Sequence, residues 1–216
     1  MNLPLAVTGQ IWHSYDFSTH VFFASHYQRS WWSLWEPRWF EGFDVASYPP
    51  LTHQLAALLG WLIGIENSVN VLTASSVLIF PLGLYVLVRQ QASVAVGMRS
   101  AAIAIVTPSV LLAAYAFGQL PTLFALDAAL LAGAALVAYL RGGGARRLAL
   151  VIALGGVVVA THHATMLFFL APLFGAVACS ELLRAKIPTR LLARRVGLAG
   201  IGTGLAAMLM ILPFWV

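Results

Sequence analysis

The sequence predicts an all-α fold, a polytopic bundle of transmembrane helices with an external loop that carries amphipathic helices at the membrane surface. Apolar residues make up 61% of the 216 residues and charged residues only 9%, whereas a soluble domain carries roughly 25% charge. Apolar runs close to the length of about 20 residues needed to cross a bilayer recur after residue 68. Polar side chains concentrate earlier, since residues 13–54 hold four of the seven carboxylates and four of the six histidines.

Residues 1–67 are predicted to form the external loop, with two interfacial helices. The first covers residues 15–35 and places Asp16 and His20, four positions apart, on one face. The second covers residues 51–65, whose length of about 22 Å as a helix is too short for a span. An aromatic belt at headgroup depth is expected from four tryptophans: Trp31, Trp32, Trp35 and Trp39.

Residues 68–216 are predicted to form the transmembrane bundle. The run from 148 to 183 would be about 54 Å long as one helix, too long for a single crossing. We therefore place a break at His162 and His163. The predicted spanning helices are 69–88, 101–117, 120–140, 148–161, 164–183 and 196–216. Glycine and alanine are frequent in them, as expected for helices that pack closely in lipid.

The basic residues orient this bundle. Ten of the twelve lie in or beside three loops, which the positive-inside rule assigns to the cytoplasm. The opposite face then contains residues 1–67 and the turns at 117–121 and 161–163, with all six histidines and five of the seven acids. A pI near 9.9 is explained by this topology and does not indicate nucleic-acid binding. The single cysteine, Cys179, excludes a disulfide framework and a thiolate metal site.

The first candidate catalytic residue on the external face is Asp16. A carboxylate beside an aromatic-rich membrane surface is partly desolvated, which suits a general base or a cation ligand. The alternative is a solvated loop acid or a helix cap. His20, one turn later, is expected to orient Asp16, bind a phosphate or join Asp16 in a site for Mg²⁺ or Mn²⁺, against the alternative of a surface histidine without a role.

Several other external residues are candidate substrate contacts. Arg38 is expected either to neutralise a lipid phosphate or to pair with Glu36 or Glu41. The remaining candidates are Tyr48 for a sugar, His53, Gln119 in its turn for a sugar hydroxyl, and His162 and His163, of which one is expected to face the cavity. Asp127, inside an apolar helix, is expected to face a cavity or to be a buried, hydrogen-bonded acid.

The order of these features resembles the first external loop of GT-C-fold glycosyltransferases, a superfamily of integral membrane enzymes. The resemblance covers residues 13–65 well and the helices of 68–183 loosely, and it is closest to uncharacterised bacterial and archaeal members. It is carried by an ordered set of short motifs: Asp16-x-x-x-His20, Pro37-Arg38-Trp39, Gly42-Phe43 and Tyr48-Pro49-Pro50-Leu51 before a Leu/Ala-rich helix.

The resemblance implies a catalytic or metal-binding role for Asp16 and matches residues 51–65 to the family's second interfacial helix. It also implies a polyprenyl-phosphate-linked sugar donor, membrane lipids as partners, and an active face on the external or periplasmic side of a prokaryotic plasma membrane. The transmembrane helix that precedes this loop in the family is missing here, as is the family's C-terminal half. We therefore expect the chain to be the N-terminal module of a longer enzyme.

The sequence predicts a membrane glycosyltransferase, or its N-terminal module, that transfers a sugar from the polyprenyl-phosphate donor to an acceptor whose identity the residues do not disclose. One alternative is a transporter or flippase of a lipid-linked or anionic solute, with Asp127 and the break at 161–163 as a midplane site. Another is a non-catalytic membrane scaffold.

Overall fold

A computed structural model describes residues 9–45, 48–184 and 187–211, and this part of the chain is almost entirely helical. The predicted all-α class is confirmed. A 3₁₀ turn at Gln10–His13 precedes α1 (Phe17–Arg29) and an antiparallel hairpin, β1 (Trp35–Glu36) and β2 (Phe43–Asp44). The helices that follow are α2 (Leu51–Ile63), α3 (Ile65–Gln91), α4 (Val94–Ile105), α5 (Pro108–Phe117), α6 (Leu120–Gly142), α7 (Ala145–Thr161), α8 (His163–Leu183) and α9 (Thr189–Ile211).

Four of these helices, α3, α6, α8 and α9, are long and apolar enough to cross a membrane. The pair α4 and α5, bent by 42° at the break between them, is a fifth candidate span. With 17 residues, α7 is about 26 Å long and packs along both α6 and α9. The chain is therefore an integral membrane protein of the helical class.

The central helix of the bundle is α6, which contacts α3, α7 and α8. Its small side chains, Ala125, Ala129 and Ala132 among them, pack against Val158 of α7 and Leu170 of α8. Small residues allow helix backbones to approach closely where lipid supplies no hydrophobic driving force. This close packing fixes the ends of α6, and one of those ends forms part of the candidate site.

Arginine side chains form hydrogen bonds and an ion pair between helix ends at one end of the bundle. Arg141 at the end of α6 contacts Glu181 of α8 at 2.6 Å and donates to the Gln90 carbonyl of α3 at 2.7 Å. Arg195 of α9 donates to the Leu140 carbonyl. We call this the arginine end, and we call the opposite end, which contains α1, α2, the α5–α6 turn and the α7–α8 break, the histidine end. The charge pattern predicted this separation, and the side of the membrane that each end faces stays a prediction.

The helix predicted at residues 15–35 is shorter in the structure. It ends at Arg29, because Ser30 leaves the helical conformation with φ −140°, and the chain then turns back so that Glu36 meets His26 of α1 at 3.0 Å. The extension of this helix to residue 35 was therefore wrong. The four tryptophans lie on the connecting segment and the hairpin, where Trp32, Trp35 and Trp39 are exposed.

Among the residues that it describes, the structure gives four candidate spans, or five with the bent pair, where six were predicted, because α7, which corresponds to the predicted span 148–161, is not among them. Two other predicted spans differ in their geometry. The helix predicted at 69–88 begins four residues earlier, directly after Gly64, whose positive φ of 84° separates α2 from α3. The run at 101–117 is not one straight helix, because it bends before Pro108, which has no N–H for the helical ladder. The break predicted at His162 is present, with φ −158° between α7 and α8.

Candidate functional site

A polar cavity of about 280 Å³ opens at the histidine end of the bundle. Its walls come from the start of α1, the segment before α2, the start of α6 and the α7–α8 break. Five of the eight residues predicted to form a site line it, although they are spread over nearly 150 positions of sequence. The lining residues are Asp16, His20, Tyr48, Gln119, Pro121, Thr122 and His162.

Backbone contacts fix the start of α1 against the end of α5. The N–H of Asp16 donates to the Phe117 carbonyl at 2.9 Å. The next residue, Gly118, has a φ of 71°, and a Cβ atom there would overlap the Ser14 hydroxyl and lie 3.3 Å from the Phe17 nitrogen. A glycine is therefore required for the turn to approach α1, and this approach brings Gln119 to the cavity.

Asp16 is half-buried and stands at the N-cap position of α1. Its carboxylate, however, accepts no capping hydrogen bond, so a side-chain cap, one of the alternative roles, is not what holds it. Burial raises the pKa of Asp16 above its usual value of 3.8. The pKa of Tyr48 is raised by burial and also by the negative charge of Asp16. The cavity thus contains a carboxylate that is free to accept a proton.

His20 lines the cavity, and His53 supports it from behind. Nδ1 of His20 lies 3.0 Å from Nε2 of His53, and both rings are fully buried. Burial lowers the pKa of His20 to about 4, with an opposing effect of the Gly118 carbonyl and a further lowering by His162. Burial, followed by the nearby His20, also lowers the pKa of His53. The pair is therefore neutral at neutral pH, and His53 does not itself reach the cavity.

The two adjacent histidines separate as the sequence predicted, since His162 lines the cavity and His163 is exposed outside it. His162 also caps α8, because its Nδ1 accepts from the Thr165 N–H at 3.3 Å and lies 2.8 Å from the Thr165 hydroxyl. Burial and the neighbouring His163 lower the pKa of His162. Thr165 is a supporting residue that sequence reasoning missed.

Arg38 lies on the hairpin loop and not in the cavity. Its guanidinium contacts the buried Glu36 at 2.7 Å and stacks over the Phe22 ring, 4.5 Å from the ring centre. Hydrogen bonds from Arg38 lower the pKa of Glu36 to about 2, with smaller effects of the same sign from His26. These are the contacts of the alternative interpretation of Arg38, pairing with Glu36, rather than those of a phosphate ligand.

The Mg²⁺ or Mn²⁺ site predicted at Asp16 and His20 stays a prediction. Nδ1 of His20 is paired with His53, which leaves Nε2 of His20 toward any ligand, and Nδ1 of His162 is paired with Thr165. Within residues 9–45, 48–184 and 187–211, no three or more His, Cys, Asp or Glu side chains group closely enough to hold a metal ion.

Asp127 of α6 is buried outside the cavity. Its carboxylate lies near the Ser76 hydroxyl of α3, without the geometry of a hydrogen bond to any described residue. Thr122, by contrast, lines the cavity and was not predicted. Its position three residues after Gln119, at the start of a helix, was the available signal, because the first turn of α6 faces the same space as the turn before it.

A second cavity, of about 630 Å³ and almost wholly apolar, lies between α7, α8 and α9. Val159 and Met166 line it, three and four positions from His162 in sequence. The other apolar lining residues include Leu170, Phe174, Ala207 and Met208. Both cavities therefore have lining residues within four positions of the α7–α8 break.

The chain matches no protein-family model, no curated protein and no solved structure. The resemblance to GT-C glycosyltransferases therefore depends on the motifs of residues 13–65.

Proposed function

We propose that this protein is a membrane glycosyltransferase, or a module of one, that moves a sugar from a polyprenyl-phosphate-linked donor to an acceptor hydroxyl. The observation that carries the proposal is the convergence of Asp16, His20, Tyr48, Gln119 and His162 on one cavity. The sequence predicts Asp16 as a base and the other residues as sugar and phosphate contacts. They come together in the structure although they lie on segments that are far apart in the sequence.

In the proposed reaction Asp16 is the general base. Its carboxylate takes the proton of the acceptor hydroxyl while the acceptor oxygen forms a bond to the anomeric carbon of the donor. The bond between that carbon and the phosphate oxygen breaks, and the lipid phosphate leaves with the bonding electrons. A pKa raised by burial makes Asp16 a stronger base than a solvated aspartate, which favours this role.

The neutral groups have binding roles. Tyr48, Gln119 and Thr122 offer hydroxyl and amide groups of the kind that recognise sugar hydroxyls. His162, which is three and four positions in sequence from two residues that line the apolar cavity, is assigned to the phosphate. The apolar cavity between α7, α8 and α9 supports a lipid-linked donor, because a prenyl chain held there would place its phosphate near the α7–α8 break.

The test is sugar transfer in proteoliposomes that contain the full chain and a radiolabelled prenyl-phosphoryl sugar. Asp16→Asn should abolish transfer while protein abundance and monodispersity stay unchanged. Glu66→Gln is the matched control, because Glu66 is an exposed acid in the first turn of α3, at the same end of the bundle but outside the polar cavity. Unaltered transfer by Asp16→Asn would reject the assignment of the base.

The same vesicles separate the enzyme from a transporter. A transporter or flippase would move the labelled lipid or solute across the bilayer without forming a new glycosidic bond. Movement without covalent transfer, retained in Asp16→Asn, would favour transport and contradict the enzyme.

A further inference from the structure

The polar cavity contains only one charged side chain among its described lining residues, and that charge is negative. Asp16 is the carboxylate, whereas Tyr48, Gln119 and Thr122 are neutral. Two arginines, Arg29 and Arg38, precede α2 in the sequence. Arg38 pairs with Glu36 at 2.7 Å, and Arg29 contacts the same carboxylate at 3.2 Å. A negatively charged ligand in this cavity therefore meets neutral donors and no cation from the lining residues that the structure describes.

The hydrogen bonds of His162 define its tautomer. The backbone N–H of Thr165 can only donate, so Nδ1 of His162 must accept and carries no hydrogen. The Thr165 hydroxyl lies 2.8 Å from the same nitrogen. Because Nδ1 carries no hydrogen, this hydroxyl can only donate, and it shares the one lone pair of Nδ1 with the N–H. The neutral ring then carries its hydrogen on Nε2, the nitrogen left for a ligand. A protonated ring would have to place a hydrogen on Nδ1 against the Thr165 N–H, which disfavours the cation.

We propose that Thr165 fixes His162 as a neutral N–H donor and that the polar cavity therefore selects a singly charged phosphodiester over a diphosphate. The inference rests on the proposed function and narrows its donor class. The neutral N–H of His162 can donate a hydrogen bond to the single charge of a phosphodiester. The additional negative charge of a diphosphate would lose its hydration without gaining a partner, and Asp16 would repel it. In this arrangement Thr165 is a positioning residue that determines specificity through His162.

The experiment compares two synthetic ligands that share one short prenyl chain and one hexose, joined by a phosphodiester in the first and by a diphosphate in the second. Binding to the full chain in nanodiscs is measured with and without added Mg²⁺. We expect the phosphodiester to bind about tenfold more tightly, equivalent to about 1.4 kcal/mol. Thr165→Val keeps the backbone donor but loses the hydroxyl, so phosphodiester affinity should fall about fivefold, whereas Thr165→Ser should retain it.

A cation introduced into the wall should change the preference, which a purely structural role would not. Thr122→Lys, or Gln119→Lys if the first variant is not monodisperse, should reduce or invert the ratio of the two affinities. Diphosphate binding as tight as phosphodiester binding in the unmodified protein, or an unchanged ratio in the lysine variants, would overturn this inference alone. Failure of both ligands to bind the folded protein would overturn the proposed donor class, and this inference with it.

Discussion

Replacing Glu36 with glutamine should destabilise the hairpin that closes the histidine end. Glu36 is fully buried and contacts Arg38 at 2.7 Å, Arg29 at 3.2 Å and His26 at 3.0 Å. These partners, Arg38 foremost, lower its pKa from 4.5 to about 2, which corresponds to about 3 kcal/mol in favour of the folded, ionised form. Glu36→Gln removes the negative charge that Arg38, Arg29 and His26 contact. We therefore expect the free energy of unfolding to fall by about 3 kcal/mol at pH 7.

The direction of the pKa shift determines how the stabilisation by Glu36 changes with pH. Because the folded pKa is depressed, the stabilisation is complete above pH 4.5 and is lost as the pH falls toward 2. In detergent, the Tm of Glu36→Gln should therefore be roughly 6 to 12 °C below that of the unmodified protein at pH 7. This difference in Tm should shrink below pH 4.5. Glu41→Gln, on the exposed turn of the same hairpin, is the control. Equal stability of Glu36→Gln and the unmodified protein at pH 7, or a deficit independent of pH, would refute the reasoning.

Two further predictions concern the cavity itself. Gly118→Ala should lower the free energy of unfolding by about 1–3 kcal/mol and reduce sugar transfer, because the added Cβ strains the positive φ and separates the turn from α1. Thermal unfolding and transfer are measured beside Gly197→Ala, at a helical glycine of α9 where an added Cβ meets no atom within 4 Å. Unchanged stability of Gly118→Ala would contradict this. Because Asp16 must be ionised to act as a base, kcat/KM should rise with pH through an acid limb centred above 3.8, and a limb at or below that value would exclude the raised pKa.

The sequence predicted the helices best where composition alone decides them. The span predicted at 120–140 corresponds to α6 (Leu120–Gly142), because an uninterrupted apolar run between a turn and a basic loop has one stable form in lipid. The break at His162 followed from length, since no single crossing accommodates residues 148–183. The bend before Pro108 was missed, although the proline was visible, because the run was judged by its hydropathy and not by its backbone donors.

The residues that line the cavity were predictable in part: five of the eight candidates line it, whereas Arg38, His53 and His163 do not and Thr122 was missed. The topology placed Asp16, Gln119 and His162 on one face, and the structure brings them to one cavity. The sequence offered the pairing of Arg38 with Glu36 only as one of two alternatives, and it could not show that His53 lies behind His20. Both contacts depend on the path of the chain after Arg29. That path is set by tertiary hydrogen bonds between side chains, which leave no periodic pattern in the sequence.

The most direct measurement of the central claim is photolabelling of the full chain in nanodiscs with a prenyl-phosphoryl sugar that carries a diazirine on the hexose, followed by mass spectrometry. The polar cavity predicts labelled peptides from three segments, around Asp16–His20, Gln119–Thr122 and His162, and competition by the unlabelled phosphodiester. Labelling confined to a single segment, or spread over the outer surfaces of α4 and α9, would contradict a common substrate cavity.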